Sequence, residues 1–285
     1  MNGFKAAFRA ELFVMLHNNA ARFLLVMPAI AVIIRAIAVK LSDNARQAQQ
    51  SLSGGRSFED IASSNAWGHL VDSLSIGLTL LSLSLVAYAA WSFSSDRDNG
   101  ALRHVVIRTT NRMGIVLAKF ANVFLLALAT LILLGIGSAL ITAILWDFGP
   151  IVEDGYELIS SAEIRQEVAL GLGLAILPIP TALAFGVLVS VSTQSATQAI
   201  TTALGITLAV DIFKSVLGSY AYYIYASFQP SLVDRSYLSD VGRLVRGYSD
   251  VMVDTQMLSL NQWIPLPQML VFIAAALVVV RFRKL

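Results

Sequence analysis

Several residues and motifs on which protein chemistry often depends are scarce or absent in this chain. It has no cysteine in 285 residues, which excludes disulfides and thiolate metal sites. Its three histidines, His17, His69 and His104, fall on different predicted loops, which argues against a shared metal site. No phosphate-binding G-x-x-x-x-G-K-[ST] segment and no pair of nucleophile and base occurs. We therefore expect no catalytic residue, bound cofactor or metal in this chain.

Charge is also scarce, and apolar residues dominate. The chain is 56% hydrophobic and 13% charged, with a mean hydropathy of +0.71, which is typical of a polytopic membrane protein and not of a soluble domain. An apolar run of about 20 residues can cross a bilayer. Six such runs predict six transmembrane helices in a single all-α domain, at residues 21–39, 70–93, 120–146, 168–190, 199–217 and 264–282.

The distribution of charge predicts an orientation. Residues 1–22, 94–119 and 281–285 hold 11 of the 20 Lys and Arg residues, whereas the alternate segments 40–69, 147–167 and 218–263 hold most of the acids. Because basic loops stay in the cytoplasm, we expect both termini and loop 94–119 inside a bacterial cytoplasmic (inner) membrane. The net charge of +2 then combines a basic inner face with an acidic outer face, and nothing indicates nucleic-acid binding.

Two short helices are predicted outside the spans. Phe4, Phe8, Leu12 and Met15 recur at helical spacing within residues 3–16, which favours an amphipathic helix in the inner membrane interface. A cytoplasmic extension of the first span is the alternative. In the last outer segment, residues 238–248 predict a second helix, which either lies in the membrane interface or packs on the bundle as an ordinary surface helix. Aromatic residues from Tyr220 to Phe228 and at Trp263 are typical of an interfacial belt.

Polar residues inside the spans mark candidate contacts, because each is costly in lipid unless it has a partner. Two stripes are candidates for a pathway or a dimer interface: Ser75, Thr79 and Ser82 in the second span, and Thr197, Thr201 and Gly205 in the fifth. Hydroxyls that bond their own helix are the alternative.

Ionisable residues and prolines complete the set of polar positions in the spans. Asp211 and Lys214 are three residues apart and can pair; we expect this pair, like Arg35, to reach toward the outer interface. His69 and Asp72 are predicted to bond each other. Pro178 and Pro180 predict a kink in the fourth span.

Segment 96–119 carries a recognisable pattern. Asp98-Asn99-Gly100-Ala101-Leu102 opens it, and Arg112, Ile115, Val116 and Lys119 close it. With the six spans and inside termini, this segment resembles the coupling loop of type-2 ABC transporter permeases. The chain departs from that pattern at 108–111, where it reads Arg-Thr-Thr-Asn and lacks the usual proline.

The resemblance implies the membrane subunit of an ATP-driven exporter. Such a permease pairs with a second copy or a close paralogue and docks on a separate cytoplasmic ABC ATPase, which binds ATP and Mg. The implied coupling residues are Asp98, Gly100, Leu102, Arg103, Arg108, Arg112 and Lys119. The basic residues could also contact membrane lipid headgroups. The alternatives are a non-transporting scaffold that passes ATPase motion to a periplasmic partner, and a stand-alone channel or secondary carrier.

Overall fold

The computed structural model describes residues 2–53, 65–100, 112–153, 156–247 and 254–282. Its helices are α1 (Asn2–His17), α2 (Asn19–Ser53), α3 (Ala66–Asp98), α4 (Arg112–Leu145), α5 (Ser161–Ile176), α6 (Ile179–Ser192), α7 (Ala196–Phe213), α8 (Tyr237–Leu244), α9 (Thr255–Trp263) and α10 (Pro265–Phe282). Two 3₁₀ helices, Gly218–Tyr223 and Tyr225–Ser227, lie between α7 and α8. Strands β1 (Ile151–Glu153) and β2 (Tyr156–Ile159) pair antiparallel and depart from the all-helical prediction.

Within these described ranges, six helical segments are long and apolar enough to cross a membrane. They are α2, α3, α4, α5 with α6, α7, and α9 with α10, in the order predicted for the six spans. The chain is therefore a multi-pass membrane protein. Residues 40–53, predicted as part of a loop, instead continue α2, because this polar stretch contains neither glycine nor proline.

Helix α3 lies at the centre of the bundle and packs against α2, α4, α6 and α7. Two glycines allow close contact. A Cβ atom added at Gly77 would lie 2.5 Å from Leu134 Cδ1, and one added at Gly186 would lie 2.9 Å from Val86 O. The core is therefore built around α3, with α4 and α6 held close on either side.

The fourth span is interrupted where the prolines predict a kink: α5 ends at Ile176, Pro178 caps α6 and Pro180 lies in its first turn. Pro178 has no N–H to donate to Leu174 O. Asn261 Nδ2 instead donates to that carbonyl at 3.2 Å, and the Asn261 side chain is fully buried. A residue of α9 thus compensates for the break in the helix.

We call the two ends of the bundle the Lys119 end and the hairpin end, after Lys119 and the β1–β2 hairpin. The Lys119 end contains α1, the end of α3 and the starts of α4 and α7. The hairpin end contains β1, β2 and segment 214–247. At this end α8 packs on α5 and α3 through Leu238 and Val241. It is therefore a surface helix packed on the bundle, which is one of the two predicted arrangements. Of the residues predicted in an interfacial belt, Tyr225 and Phe228 are buried in the bundle, whereas Trp263 is exposed.

Candidate functional site

Lys119 joins three helices at the Lys119 end. Its side chain is 4% exposed, and its Nζ lies 2.9 Å from Glu11 Oε2 of α1 and 2.5 Å from Asp96 Oδ2 of α3. One turn later, Asn122 Nδ2 donates to Ala118 O at 2.9 Å and to Phe8 O at 3.3 Å. α1 is therefore held to α4 by an ion pair and by the amide of Asn122, and α3 is held to α4 by the ion pair of Asp96 with Lys119.

In this cluster the Lys119 ammonium group is shared by two carboxylates, those of Glu11 and Asp96. Burial raises the pKa of Glu11, the Lys119 ammonium opposes that rise, and the charge of Asp96 adds to it. Loss of Lys119 would leave the two partly exposed acids close together without this shared partner.

Asp98 makes a second connection at the same end. Its Oδ2 accepts a hydrogen bond of 2.7 Å from the N–H of Ala196, the first residue of α7. A carboxylate is favourable at this position because helix N-termini carry unpaired N–H groups and a partial positive charge. The last turn of α3 is thus bound to α7 through Asp98 and to α4 through Asp96.

Gly100 follows the end of α3 with a φ of 70°, in the left-handed region that glycine adopts without strain. It ends the helix, as the sequence predicts. Arg112 begins α4, so residues 94–98 and 112–119 of the predicted loop 94–119 are helical. Ile115, Val116 and Lys119 lie on a buried face of α4. Leu102, Arg103 and Arg108 lie outside the described residues.

The hydroxyl stripe of α3 contacts the hairpin-end segment of the same chain. Ser75 Oγ donates to Asp234 Oδ2 at 3.0 Å, and Ser82 Oγ donates to Gln229 Oε1 at 2.9 Å. Thr79 Oγ1 bonds the Ser75 carbonyl. These two serines therefore make contacts within the chain, and their place in a pathway or a dimer interface stays a prediction.

The stripe on α7 is not brought together with the stripe on α3. Thr197, Thr201 and Gly205 are exposed, and a Cβ atom added at Gly205 would have no neighbour within 4 Å. The opposite face of α7, with Ala199 and Ala203, is buried against the bundle.

Asp211 and Lys214 form the predicted ion pair, with 2.8 Å between Lys214 Nζ and Asp211 Oδ1. Lys214 is fully buried in the protein, and the position of the pair at the outer interface stays a prediction. Segment 231–233 covers the pair: Ser231 Oγ lies 2.7 Å from Lys214 Nζ, and the N–H of Leu232 donates to Asp211 Oδ2 at 3.0 Å. The pair therefore fixes this segment against the end of α7.

A further ionic cluster corrects the predicted pairing of His69 with Asp72. Asp72 Oδ2 instead lies 3.2 Å from Arg35 Nη2 and also bonds Arg246, so it ties α2 and the hairpin-end segment to α3. His69 stacks on Trp146 with 4.0 Å between ring centroids. These contacts are structural, and no group of three or more metal-ligating side chains occurs in the described part of the chain.

The sequence patterns did not predict two residues of the Lys119 cluster, Glu11 and Asp96. Glu11 lies off the apolar stripe that Phe4, Phe8, Leu12 and Met15 form in the sequence, yet it lies one turn from Ala7 and one turn from Met15, which are both buried. The spacing of four residues from Ala7 to Glu11 and on to Met15 is the signal that could have placed it on that face. Asp96 carries no such signal, since its partner lies on another helix.

Comparison with known proteins identifies a family without a described activity. No curated protein matches the chain, and no solved structure matches it. A family model described as "Protein of unknown function (DUF2705)" matches residues 24–234, which run from α2 into the segment between α7 and α8. That match spans most of the chain, which therefore belongs to this family.

Proposed function

We propose that this chain is the permease subunit of an ATP-driven exporter, and that it receives the motion of a separate cytoplasmic ATPase at the Lys119 end. The proposal is supported most directly by the contacts on both sides of segment 101–111. Asp98 binds the start of α7, and Lys119 binds α1 and α3. A force on the loop would therefore reach four helices at once.

The proposal places the Lys119 end in the cytoplasm and the hairpin end outside. Its support is the excess of Lys and Arg in the termini and in segment 94–119. The same side would carry Leu102, Arg103 and Arg108 for contact with the ATPase, as in the permeases that the sequence resembles. ATP and Mg would be bound by the partner.

The test is co-purification with an ABC ATPase from native membranes. Gly100→Glu adds a charge and a side chain at a left-handed position beside the loop, so we expect loss of the ATPase from the purified complex. Leu102→Glu should do the same. Gly149→Glu is the matched control, because Gly149 lies at the hairpin end and a Cβ atom there meets nothing within 4 Å. Retention of the ATPase by both loop variants would contradict the proposal.

The alternative functions predict different outcomes in the same preparation. A stand-alone channel or secondary carrier would purify without any ATPase. A scaffold that transmits motion to a periplasmic partner would retain the ATPase, but ATP would drive no flux of solute in liposomes.

We also propose that two copies of the chain meet along the exposed face of α7. α7 is the least apolar of the six spans, yet little of it is buried within the chain. Its exposed Thr197, Thr201 and Gly205 suit close helix contact better than contact with lipid.

The natural lack of cysteine makes a direct test of this contact simple. Thr201→Cys should give a disulfide-linked dimer on mild oxidation of membranes. Ile132→Cys is the control, since Ile132 is 62% exposed on the apolar surface of α4 and is expected to face lipid. Equal cross-linking of the two variants would contradict the α7 contact.

A further inference from the structure

Two arginines from distant parts of the chain meet at one carboxylate at the hairpin end. Arg35 Nη2 of α2 lies 3.2 Å from Asp72 Oδ2 of α3, and Arg246, which follows α8, bonds the same oxygen. The side chains of Arg35 and Arg246 are 26% and 36% exposed, so the protein encloses neither guanidinium group. In addition to joining three parts of the fold, the cluster therefore leaves both arginines accessible to a ligand.

The charges in this region do not cancel. Lys40 adds a cation beyond Arg35 on α2, with its Nζ 5.4 Å from the ring centre of Trp146, which stacks on His69. Asp43 Oδ2 lies 4.0 Å from His69 Nε2. Two arginines and Lys40 thus stand against two carboxylates, which leaves an excess of positive charge. This excess is unusual at the hairpin end, because acids outnumber basic residues in segments 40–69, 147–167 and 218–263.

Both arginines have further hydrogen-bond donors. A guanidinium group carries five N–H donors in a flat fork that matches the oxygen atoms of a phosphate. Among the contacts recorded for the described residues, Arg35 and Arg246 each use Nη2 alone, and both use it on Asp72 Oδ2. Because the two groups touch one oxygen atom, they lie close enough together for a single phosphate group to contact both.

Glycines on both sides of the contact position Arg246. A Cβ atom added at Gly68 of α3 would lie 3.6 Å from Arg246 Cγ and 3.9 Å from its Nε, so the arginine side chain lies against α3 at this glycine. Asp72 follows Gly68 by one turn on the same face of the helix. Gly247 has a φ of 83°, in the left-handed region, so the chain changes direction directly after Arg246.

Arg35 lies at the depth expected for a membrane interface. From Asn19, where α2 begins, to Arg35 the helix rises about 24 Å at about 1.5 Å per residue, against a hydrocarbon core about 30 Å thick. A long arginine side chain can reach the headgroup layer from this depth. Beside Arg35, α2 exposes an apolar stripe formed by Ile30, Ile34 and Ile37. An acyl chain can lie on this stripe while the headgroup of the same lipid reaches Arg35.

We propose that Arg35 and Arg246 bind the phosphate of a phospholipid headgroup in the leaflet at the hairpin end. The phosphate accepts hydrogen bonds from both guanidinium groups and neutralises the excess positive charge. The bound lipid then connects α2 to segment 214–247, next to Asp72 of α3. This site rests neither on the exporter function nor on the contact between two copies along α7.

Three probes separate a phospholipid from a free phosphate ion, which offers the same oxygen atoms. Dioleoyl phosphatidylglycerol supplies a phosphate and acyl chains, dioleoylglycerol supplies acyl chains alone, and inorganic phosphate supplies the anion alone. Binding of each probe to the purified chain in a neutral detergent is measured by native mass spectrometry. We expect phosphatidylglycerol to bind most tightly. Equal affinity for either of the other two probes would overturn the assignment to a phospholipid.

Substitutions locate the site. Arg35→Gln and Arg246→Gln should each weaken the binding of phosphatidylglycerol by about fivefold, the effect of one basic residue beside anionic lipid. Arg46→Gln is the matched control, because Arg46 is exposed on the polar extension of the same helix and the substitution removes the same charge. Equal affinity of Arg35→Gln and Arg46→Gln for phosphatidylglycerol would overturn the proposal.

Asp72→Asn separates lipid binding from a purely structural role of the cluster. This variant breaks the same ion pairs, but it also removes the carboxylate that competes with a phosphate for both arginines. We therefore expect Asp72→Asn to bind phosphatidylglycerol more tightly than the wild type does. A fall in affinity as large as that of Arg35→Gln would show that the cluster acts through the fold alone, and would overturn the proposal.

Discussion

Replacement of Lys119 by methionine tests the cluster that joins α1, α3 and α4. Methionine keeps a long apolar side chain but removes the ammonium group that lies 2.9 Å from Glu11 and 2.5 Å from Asp96. Breaking a buried ion pair by removing one partner costs about 3 to 5 kcal/mol, because a charge is left without compensation.

The exposure of the two acids sets the expected magnitude. Their side chains are 21% exposed for Glu11 and 32% for Asp96, so water partly hydrates both carboxylates. We therefore expect a loss in the free energy of unfolding of about 2 to 3 kcal/mol. For a chain of this size, that loss corresponds to a decrease in Tm of about 4 to 12 °C.

The assay is thermal unfolding in detergent, followed by circular dichroism, with Lys5→Met as the control on the exposed side of α1. Glu11→Gln in the Lys119→Met background should recover part of the loss, since it removes one of the two stranded charges. The coupling in this double-mutant cycle should be at least about 1 kcal/mol. A Tm for Lys119→Met equal to that of Lys5→Met, or strict additivity with Glu11→Gln, would refute this account of the cluster.

Three further predictions concern single positions. Burial raises the pKa of Glu11 above its ordinary value of 4.5. The stability that protonated Glu11 contributes is therefore complete below pH 4.5 and is lost as the pH rises through the raised pKa. Glu11→Gln should flatten this part of a plot of Tm against pH. Gly77→Ala should cost about 1 to 3 kcal/mol in thermal unfolding, because its Cβ would lie 2.5 Å from Leu134, whereas Gly135→Ala, with open space around it, should not destabilise. Ser160→Ala removes the capping box with Glu163 and should speed deuterium exchange of the Glu163 amide by roughly fivefold, for a loss of about 1 kcal/mol; unchanged exchange would contradict the cap.

The spans could be predicted because the constraint on them is local. A run of apolar residues long enough to cross a bilayer is visible in the sequence, and so is the proline pair that interrupts the fourth span. The extension of α2 through residues 40–53 was missed because polarity indicates exposure and does not by itself end a helix. Hairpin β1–β2 was missed because strands of three and four residues carry too little periodicity to recognise.

The contacts between helices could not be predicted, because their partners are far apart in the chain. Lys119 and Glu11 are 108 residues apart, and Ser82 and Gln229 are 147 apart, so no periodic pattern connects them. Ser82 stood out in the sequence by its polarity inside a span, and Lys119 stood out as the end of the pattern in segment 96–119. The choice of partner depends on how the helices cross, which the close approaches at Gly77 and Gly186 determine.

The rate of ATP hydrolysis tests the central proposal most directly. The ATPase subunit recovered with the chain would be measured alone and then in nanodiscs with the wild-type chain, the Gly100→Glu variant or the Gly149→Glu control. We predict that the wild-type chain and Gly149→Glu change the rate several-fold and that Gly100→Glu leaves it at the value of the ATPase alone. The same rate in all four samples would contradict the claim that motion enters this protein beside Asp98, Gly100 and Lys119.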